Sequence, residues 1–368
     1  MTDGPGLISR RNLLRVAGLG AVAVPVLAAC GSGGTSGATS DSKQSDLSGI
    51  SLNVGQELST ATAGFAASGL FASAPYQIKY SLFQSPTDTL TALAASKVDI
   101  SYNDAFWTAT QAASAASPAY TASTAPYKAV LALGPGDPEN NARFVIAASK
   151  QSGITDVTQA KGKRWGITPG SSLQLFADTV LAKLGWTDKD ITVVSQNNTE
   201  YESELETGEV DISFATVDNI SVALSRGARV IGIAYEYGLT IYVGILASTK
   251  ALDNSLKNQA IEDYTRRMVQ YQNWYNLNPG KAQAALVSGQ ELTAAQAKTS
   301  WTYARVLPTP VSSAVQAYSQ KLATFGYQKG LLTSKVDIAA LMDNRYASTV
   351  NAALKSTDYT ANIKRSYS

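Results

Sequence analysis

The chain has 368 residues, 45% hydrophobic and 16% charged, with a formal net charge of +2. That length suits two compact domains, and the near-balanced charge offers no field for nucleic acid or for an acidic surface. There is no histidine and a single cysteine, which excludes disulfides within the chain, histidine metal centres, and Ser-His or Cys-His catalysis.

The first element is a leader over residues 1–29. In "SRRNLLRVAGLGAVAVPVLAACGSGG" two arginines precede a mildly apolar run, Val16 to Ala29. The run is shorter than the roughly 20 residues needed to span a bilayer, but it suits the core of a signal peptide. Ser9-Arg10-Arg11-Asn12-Leu13-Leu14-Arg15 resembles a twin-arginine export signal. Leu27-Ala28-Ala29-Cys30-Gly31 resembles a bacterial lipobox, which implies that Cys30 becomes the first mature residue and carries lipid. The competing reading is a buried N-terminal helix with a core cysteine. Removing Arg10, Arg11, Arg15 and Asp3 with the leader leaves equal numbers of basic and acidic residues. Residues 30–48, rich in Gly, Ser and Thr, read as a flexible solvated tether.

From residue 50 the apolar pattern alternates between period two and period 3.6. Strands are expected at 50–55, 77–82, 98–102, 128–133, 143–148, 163–168, 191–195, 210–214, 229–234 and 241–247. Helices are expected at 87–96, 104–114, 171–184, 199–207 and 217–226, and beyond 250 helices alone. Such alternation predicts an α/β fold. "SPTDTLTALAASKVDIS" (85–101) and "NNTEYESELETGEVDIS" (197–213) share a plan at an offset of 112 residues. Each has a polar helix start, an inward leucine (Leu93, Leu205), a small polar break, then Val-Asp-Ile-Ser. The repeat suggests two similarly built halves. Asp99 and Asp211 read as strand-entry residues bonding nearby backbone. Asp104 and Asp218 either cap helices or face a ligand's amine or hydroxyl.

In open α/β sheets ligands sit beyond the carboxyl ends of strands. Gly55-Gln56, Ser85-Pro86-Thr87, Asn103-Asp104 and Pro169-Gly170-Ser171-Ser172 fall there. A helix N-terminus offers unpaired N–H groups and a partial positive charge, so a small anion can bind without Lys or Arg. The alternative at each loop is that Ser and Thr cap a helix and Gly tightens a turn. Tyr102, Phe106, Trp107, Tyr201, Tyr235 and Tyr237 cluster near the same ends, and of the adjacent Phe106 and Trp107 at most one can face a cleft. Arg143, the one charge within "NARFVIAAS", is either an edge residue or an anion contact.

"LNVGQ", "SPTDTLTALAASKVDISYNDAF", "KGKRWGITPGSSLQLFADTVLAKLGW" and "LETGEVDISFATVDN" resemble the periplasmic-binding proteins for sulfonate, taurine and nitrate uptake, relatives of the thiamine-pyrimidine-precursor binding proteins. The resemblance runs over roughly residues 50–345, and Lys-Gly-Lys-x-x-Gly-x-Thr-Pro-Gly-Ser-Ser is its most specific piece. It implies a two-lobed type II periplasmic-binding-protein fold, with 49–136 plus 240–368 as one lobe and 137–239 as the other. It further implies hinge crossings near 135–143 and 235–241 and a helical C-terminal extension. The implied function is a lipid-anchored, monomeric solute-binding subunit of an ABC uptake transporter, docking on a permease with its ATPase. No cofactor, metal or nucleic acid is implied. The ligand implied is a small anionic or zwitterionic solute, an alkanesulfonate or aminosulfonate. Its shell would be Gln56, Ser85, Asn103, Asp104, Ser171, Ser172 and Asp218, with Arg143 beside them. The chain departs from the family's usual Gly-Pro-Pro at Ser85-Pro86-Thr87 and from its Trp-Asp-Pro at Val217-Asp218-Asn219. Lack of histidine separates it from relatives that build a pyrimidine with histidine and iron. Nitrate, a pyrimidine or an aromatic acid is the alternative solute. An exported enzyme on this fold is a further alternative, although the folded region lacks a Gly-x-Ser-x-Gly elbow.

Overall fold

The computed structural model describes residues 46–57, 60–137, 143–197, 200–290, 292–303 and 305–367. The leader, Cys30 and most of the expected tether lie outside the described residues. Leu47, at the tether's far end, is buried in the core.

The chain opens with β1 (Ser51–Gln56), α1 (Thr60–Ser68), β2 (Gln77–Leu82), α2 (Pro86–Ala94), β3 (Ile100–Ala105), α3 (Phe106–Ala115) and β4 (Tyr127–Pro135). Next come β5 (Phe144–Ala148), β6 (Arg164–Ile167), α4 (Ser172–Leu184), β7 (Thr192–Ser195), α5 (Tyr201–Thr207), β8 (Ile212–Thr216), α6 (Ser221–Ser225) and β9 (Arg229–Ile233). The last part holds β10 (Val243–Ser248), α7 (Thr249–Asp253), α8 (Ser255–Leu277), α9 (Pro279–Gln290), α10 (Ala294–Tyr303), β11 (Val306–Thr309), α11 (Ser313–Gln328), α12 (Ala347–Ser356) and α13 (Tyr359–Tyr367). The α/β class is as expected. The expectation of helices alone after residue 250 is corrected by β11, which pairs antiparallel with β4 at the sheet edge. Pro308 within it lacks an N–H, a residue tolerated on edge strands.

The strands form two mixed sheets, β11-β4-β10-β3-β1-β2 and β7-β6-β8-β5-β9. Leaving β11 aside, the orders superpose as β2-β1-β3-β10-β4 on β7-β6-β8-β5-β9. In both, three parallel strands are followed by two antiparallel neighbours. The chain passes to the second sheet between β4 and β5 and returns between β9 and β10. The Val-Asp-Ile-Ser repeat occupies equivalent places. Asp99 accepts from the Asn53 backbone N–H at 2.9 Å, and Asp211 accepts from the Arg164 N–H at 2.8 Å, each tying β3 or β8 to its parallel neighbour. Leu93 and Leu205 are fully buried beneath.

Burial follows position in the sheets. Central strands β4 and β10 are almost wholly buried apolar runs, whereas edge strand β2 is mostly exposed, as expected for sheets covered on both faces. One face of the first sheet, with Leu52, Val54, Ile100 and Ile245, packs on α8 through Tyr264, Met268 and Val269. The other face joins a core that continues from Leu93, Phe106 and Trp107 into Val145, Trp165, Phe176 and Phe214 of the second sheet. Burying each such side chain contributes about 1.5–3 kcal/mol. At Gly244 in β10 a Cβ would stand 1.9 Å from the Leu131 carbonyl oxygen. A register shift follows at Ile245, beside the carboxyl end of β3.

Candidate functional site

The carboxyl ends of β1 and β3 come from one sheet and those of β6 and β8 from the other. Gln56 ends β1 in register with Tyr102 of β3. It is 3% exposed, and its Oε1 is buried without a hydrogen-bond partner. Tyr102 is partly buried, and Gln272 of α8 donates to its hydroxyl at 3.4 Å. Burial raises the Tyr102 pKa, Arg143 opposes the rise and Asp218 adds to it. Tyr102 of the first sheet therefore lies within electrostatic reach of an ion pair belonging to the second. The side chains of Asn103 and Asp104 lie outside the described residues; the Asp104 backbone pairs with Gly244.

Arg143, just before β5, and Asp218, just after β8, meet in a bidentate pair: Nε to Oδ1 at 3.1 Å and Nη2 to Oδ2 at 2.9 Å. Both side chains are about nine-tenths buried, with 10% and 12% exposed. Burial pushes the Asp218 carboxyl up, but the Arg143 guanidinium outweighs it and holds the group below the usual carboxylate range. The Val217 N–H also donates to the Arg143 carbonyl at 2.9 Å. The sequence raised each residue separately as a ligand contact; the structure brings them together as partners of one another. Tyr275 of α8 also interacts electrostatically with this pair.

On the other side of the junction, the hydroxyls of Thr168 and Tyr201 are hydrogen-bonded. Burial raises the Tyr201 pKa, Thr168 counters it, and the Glu57 carboxylate adds to it across the junction. Glu57 was not singled out from the sequence, although it is adjacent in the chain to a loop that was, and Thr168 belongs to the quoted motif but was given no role.

The serines show what their positions do locally. Ser171 is the N-cap of α4: its Oγ accepts from the Leu173 N–H at 3.1 Å and donates to the Thr168 carbonyl at 2.7 Å. Ser85 caps α2 in the same way, accepting from the Asp88 N–H at 3.2 Å, with Pro86 at the first helical position. Ser172 is 5% exposed and lines a small space with Phe106, Trp107, Tyr242 and Leu322. Phe106 and Trp107 are both buried there, and Tyr235 is 44% exposed. Gly170 has φ of +69°, a left-handed conformation that favours glycine. Its N–H donates to Gln174 Oε1 at 2.8 Å. The turn meets the start of α2, since a Cβ on Gly170 would lie 3.5 Å from Thr87 Oγ1. Two helix N-termini, one from each half, thus come close together.

One further bond holds the halves together: Gln296 Nε2 donates to Ser225 Oγ at 3.1 Å. At the return crossing the Thr240 N–H donates to the Tyr318 hydroxyl at 2.6 Å. Among the described residues no group of three or more His, Cys, Asp or Glu is placed to hold a metal ion.

No curated protein matches the chain by sequence. Among solved structures it is similar to the alkanesulfonate-binding protein SsuA of Xanthomonas axonopodis pv. citri bound to MOPS, with a TM-score of 0.68 and 20% identity over 80% of this chain and 98% of that one. It is also similar to the periplasmic aliphatic sulphonate binding protein SsuA of Escherichia coli, with a TM-score of 0.65 and 21% identity over 80% and 92%. The desulfurization enzyme DszB has a TM-score of 0.58 at 11% identity, over 83% and 99%. These likenesses show the periplasmic-binding-protein fold, one that serves binding proteins and an enzyme alike. The NMT1/THI5-like family profile matches residues 66–255, more than half of the chain, and the chain therefore belongs to the NMT1/THI5-like family.

Proposed function

We propose that this protein is the extracytoplasmic solute-binding component of an ABC uptake system. Its two sheets would form lobes of residues 49–136 plus 240–368 and residues 137–239, closing on a small sulfonate. The observation that carries the reading is the meeting of the strand ends across the junction, where Tyr102 lies within electrostatic reach of the Arg143–Asp218 pair and Tyr201 within reach of Glu57. Similarity to sulfonate-binding proteins supports the choice of solute class.

The charges refine that choice. Asp218 already neutralises Arg143, so a sulfonate head would be met by the amide protons of the α4 start and by Ser172. Glu57 nearby, together with Asp104, would favour an amine on the same solute. An aminosulfonate satisfies both requirements. Gln56 Oε1 would accept from the amine. Cys30 would anchor the protein by lipid to the outer face of the membrane, with the residues between Cys30 and the buried Leu47 as its tether; replacing Cys30 by alanine is expected to release the protein from the membrane fraction.

Calorimetric titration of the purified protein with taurine, methanesulfonate, nitrate and a pyrimidine tests the solute. Taurine is expected to bind tightest. Gln56→Leu is expected to weaken taurine by about tenfold or more, since a hydrogen bond to a charged group is worth about 1.5–3 kcal/mol. Absence of any sulfonate response in calorimetry and in thermal denaturation would overturn the reading.

A further inference from the structure

A second space in the molecule is not accounted for by the strand-end site. Between α2 and α3 lies an open pocket of about 530 Å³, which Gly170, in the turn after β6, also lines. That volume is typical of small-organic-ligand sites. No Asp, Glu, Lys or Arg is among the described residues lining it. The wall is mostly apolar, with Tyr120 and Tyr127 set edge to face at 87° and 6.3 Å between ring centroids.

Of the polar side chains in this wall, which also include Thr87 and Thr91, two present buried atoms without a hydrogen-bond partner. Thr108 is 3% exposed, and its Oγ1 has no hydrogen-bond partner. Gln111 Oε1 is likewise buried and unpartnered, and it lies 3.9 Å from the point where a Cβ on Gly170 would stand. A buried acceptor left unmatched costs about 1–3 kcal/mol. Such groups in native proteins are retained where a ligand, a water or strain explains them. Here both line one roomy, uncharged space with an aromatic wall.

We propose that this cavity binds an uncharged aromatic compound carrying one N–H or O–H donor, such as a phenol or an arylamide. The ring packs against Tyr120 and Tyr127, and the donor is received by Gln111 Oε1, with Thr108 as the second polar contact. Since Gly170 also lines the pocket, an occupant reaching it touches both halves of the protein.

Phenol and anisole test the proposal, because they share the ring and differ in the donor. Titrating the full-length protein, we expect phenol to bind roughly tenfold tighter than anisole, the size of one satisfied buried acceptor. Gln111→Leu, which keeps the volume, is expected to erase that difference while leaving anisole unchanged. Ala112→Phe, which fills the cavity, is expected to weaken both compounds while sparing the sulfonate response, which also reports that the variant is folded. Equal binding of phenol and anisole to the wild type, a phenol preference that survives Gln111→Leu, or no phenol binding at all would overturn it.

Discussion

Replacing Arg143 by leucine isolates the energetics of the buried pair. The substitution removes both hydrogen bonds to Asp218, at 3.1 and 2.9 Å, and leaves a carboxyl group in a dry interior. Breaking a buried pair from one side typically costs about 3–5 kcal/mol. An independent estimate comes from protonation. With its guanidinium gone, burial, the largest influence on Asp218, is opposed only by its own backbone N–H and by Thr216, and pushes its pKa upward. Taking up a proton at pH 7, by a group whose unfolded value is 3.8, costs about 4 kcal/mol at 1.36 kcal/mol per unit. The two figures agree. They also fix the pH dependence. In the wild type the lowered Asp218 pKa contributes stability above the unfolded value and loses it as pH falls through the folded one. In Arg143→Leu the sign reverses, and stability declines as pH rises from about 4. Urea unfolding followed by tryptophan fluorescence from pH 4 to 8 reads both slopes. The variant should be about 3–5 kcal/mol below wild type at pH 7, with most of that gap closed near pH 4. A gap of constant size across the range would refute the reasoning, as would a variant as stable as the wild type at neutral pH.

Asp178 in α4 offers the complementary case. Burial, with help from Asp188, pushes its carboxyl up to about 7, and its Oδ2 is buried without a partner. Its influence is therefore fully favourable below the unfolded value and is lost as pH rises toward 7, so Asp178→Asn should stabilise the protein by about 1–2 kcal/mol at pH 8, after allowance for partial solvent screening, and bring no gain at pH 4; equal denaturation midpoints at pH 8 would contradict this. Gly244→Ala drives a Cβ to 1.9 Å from a carbonyl oxygen in the sheet centre, and a loss of about 3 kcal/mol or more is expected by the same unfolding assay; a loss under 1 kcal/mol would show that β4 yields easily.

Much of the fold was legible because its signals are local. Ten strands reveal themselves by short apolar runs, and the Val-Asp-Ile-Ser repeat placed Asp99 and Asp211 at strand entries that the structure shows bonding neighbouring backbone. What escaped were elements with weak local signal. β11 is four residues long and interrupted by proline, and α1, "TATAGFAAS", carries no clear apolar stripe. The site was legible as a set of loops but not as a set of roles. Serine at a helix start looks alike whether it caps the helix or greets a solute, and at Ser85 and Ser171 the capping bonds are present. Arg143 and Asp218 stand 75 residues apart, and nothing in either neighbourhood announces that the charge of one is spent on the other.

The sheet orders bear on how the protein comes into being. Every strand of the second sheet lies within one continuous stretch, 144–233, whereas β10, at the heart of the first, is supplied only after that stretch is complete. As the chain emerges from its N-terminus, the later-starting half can finish first, while the earlier-starting half waits with an open slot between β3 and β4. Any event that stalls the polypeptide before residue 243 leaves two unsatisfied strand borders, a natural landing place for a chaperone or for another unfinished copy.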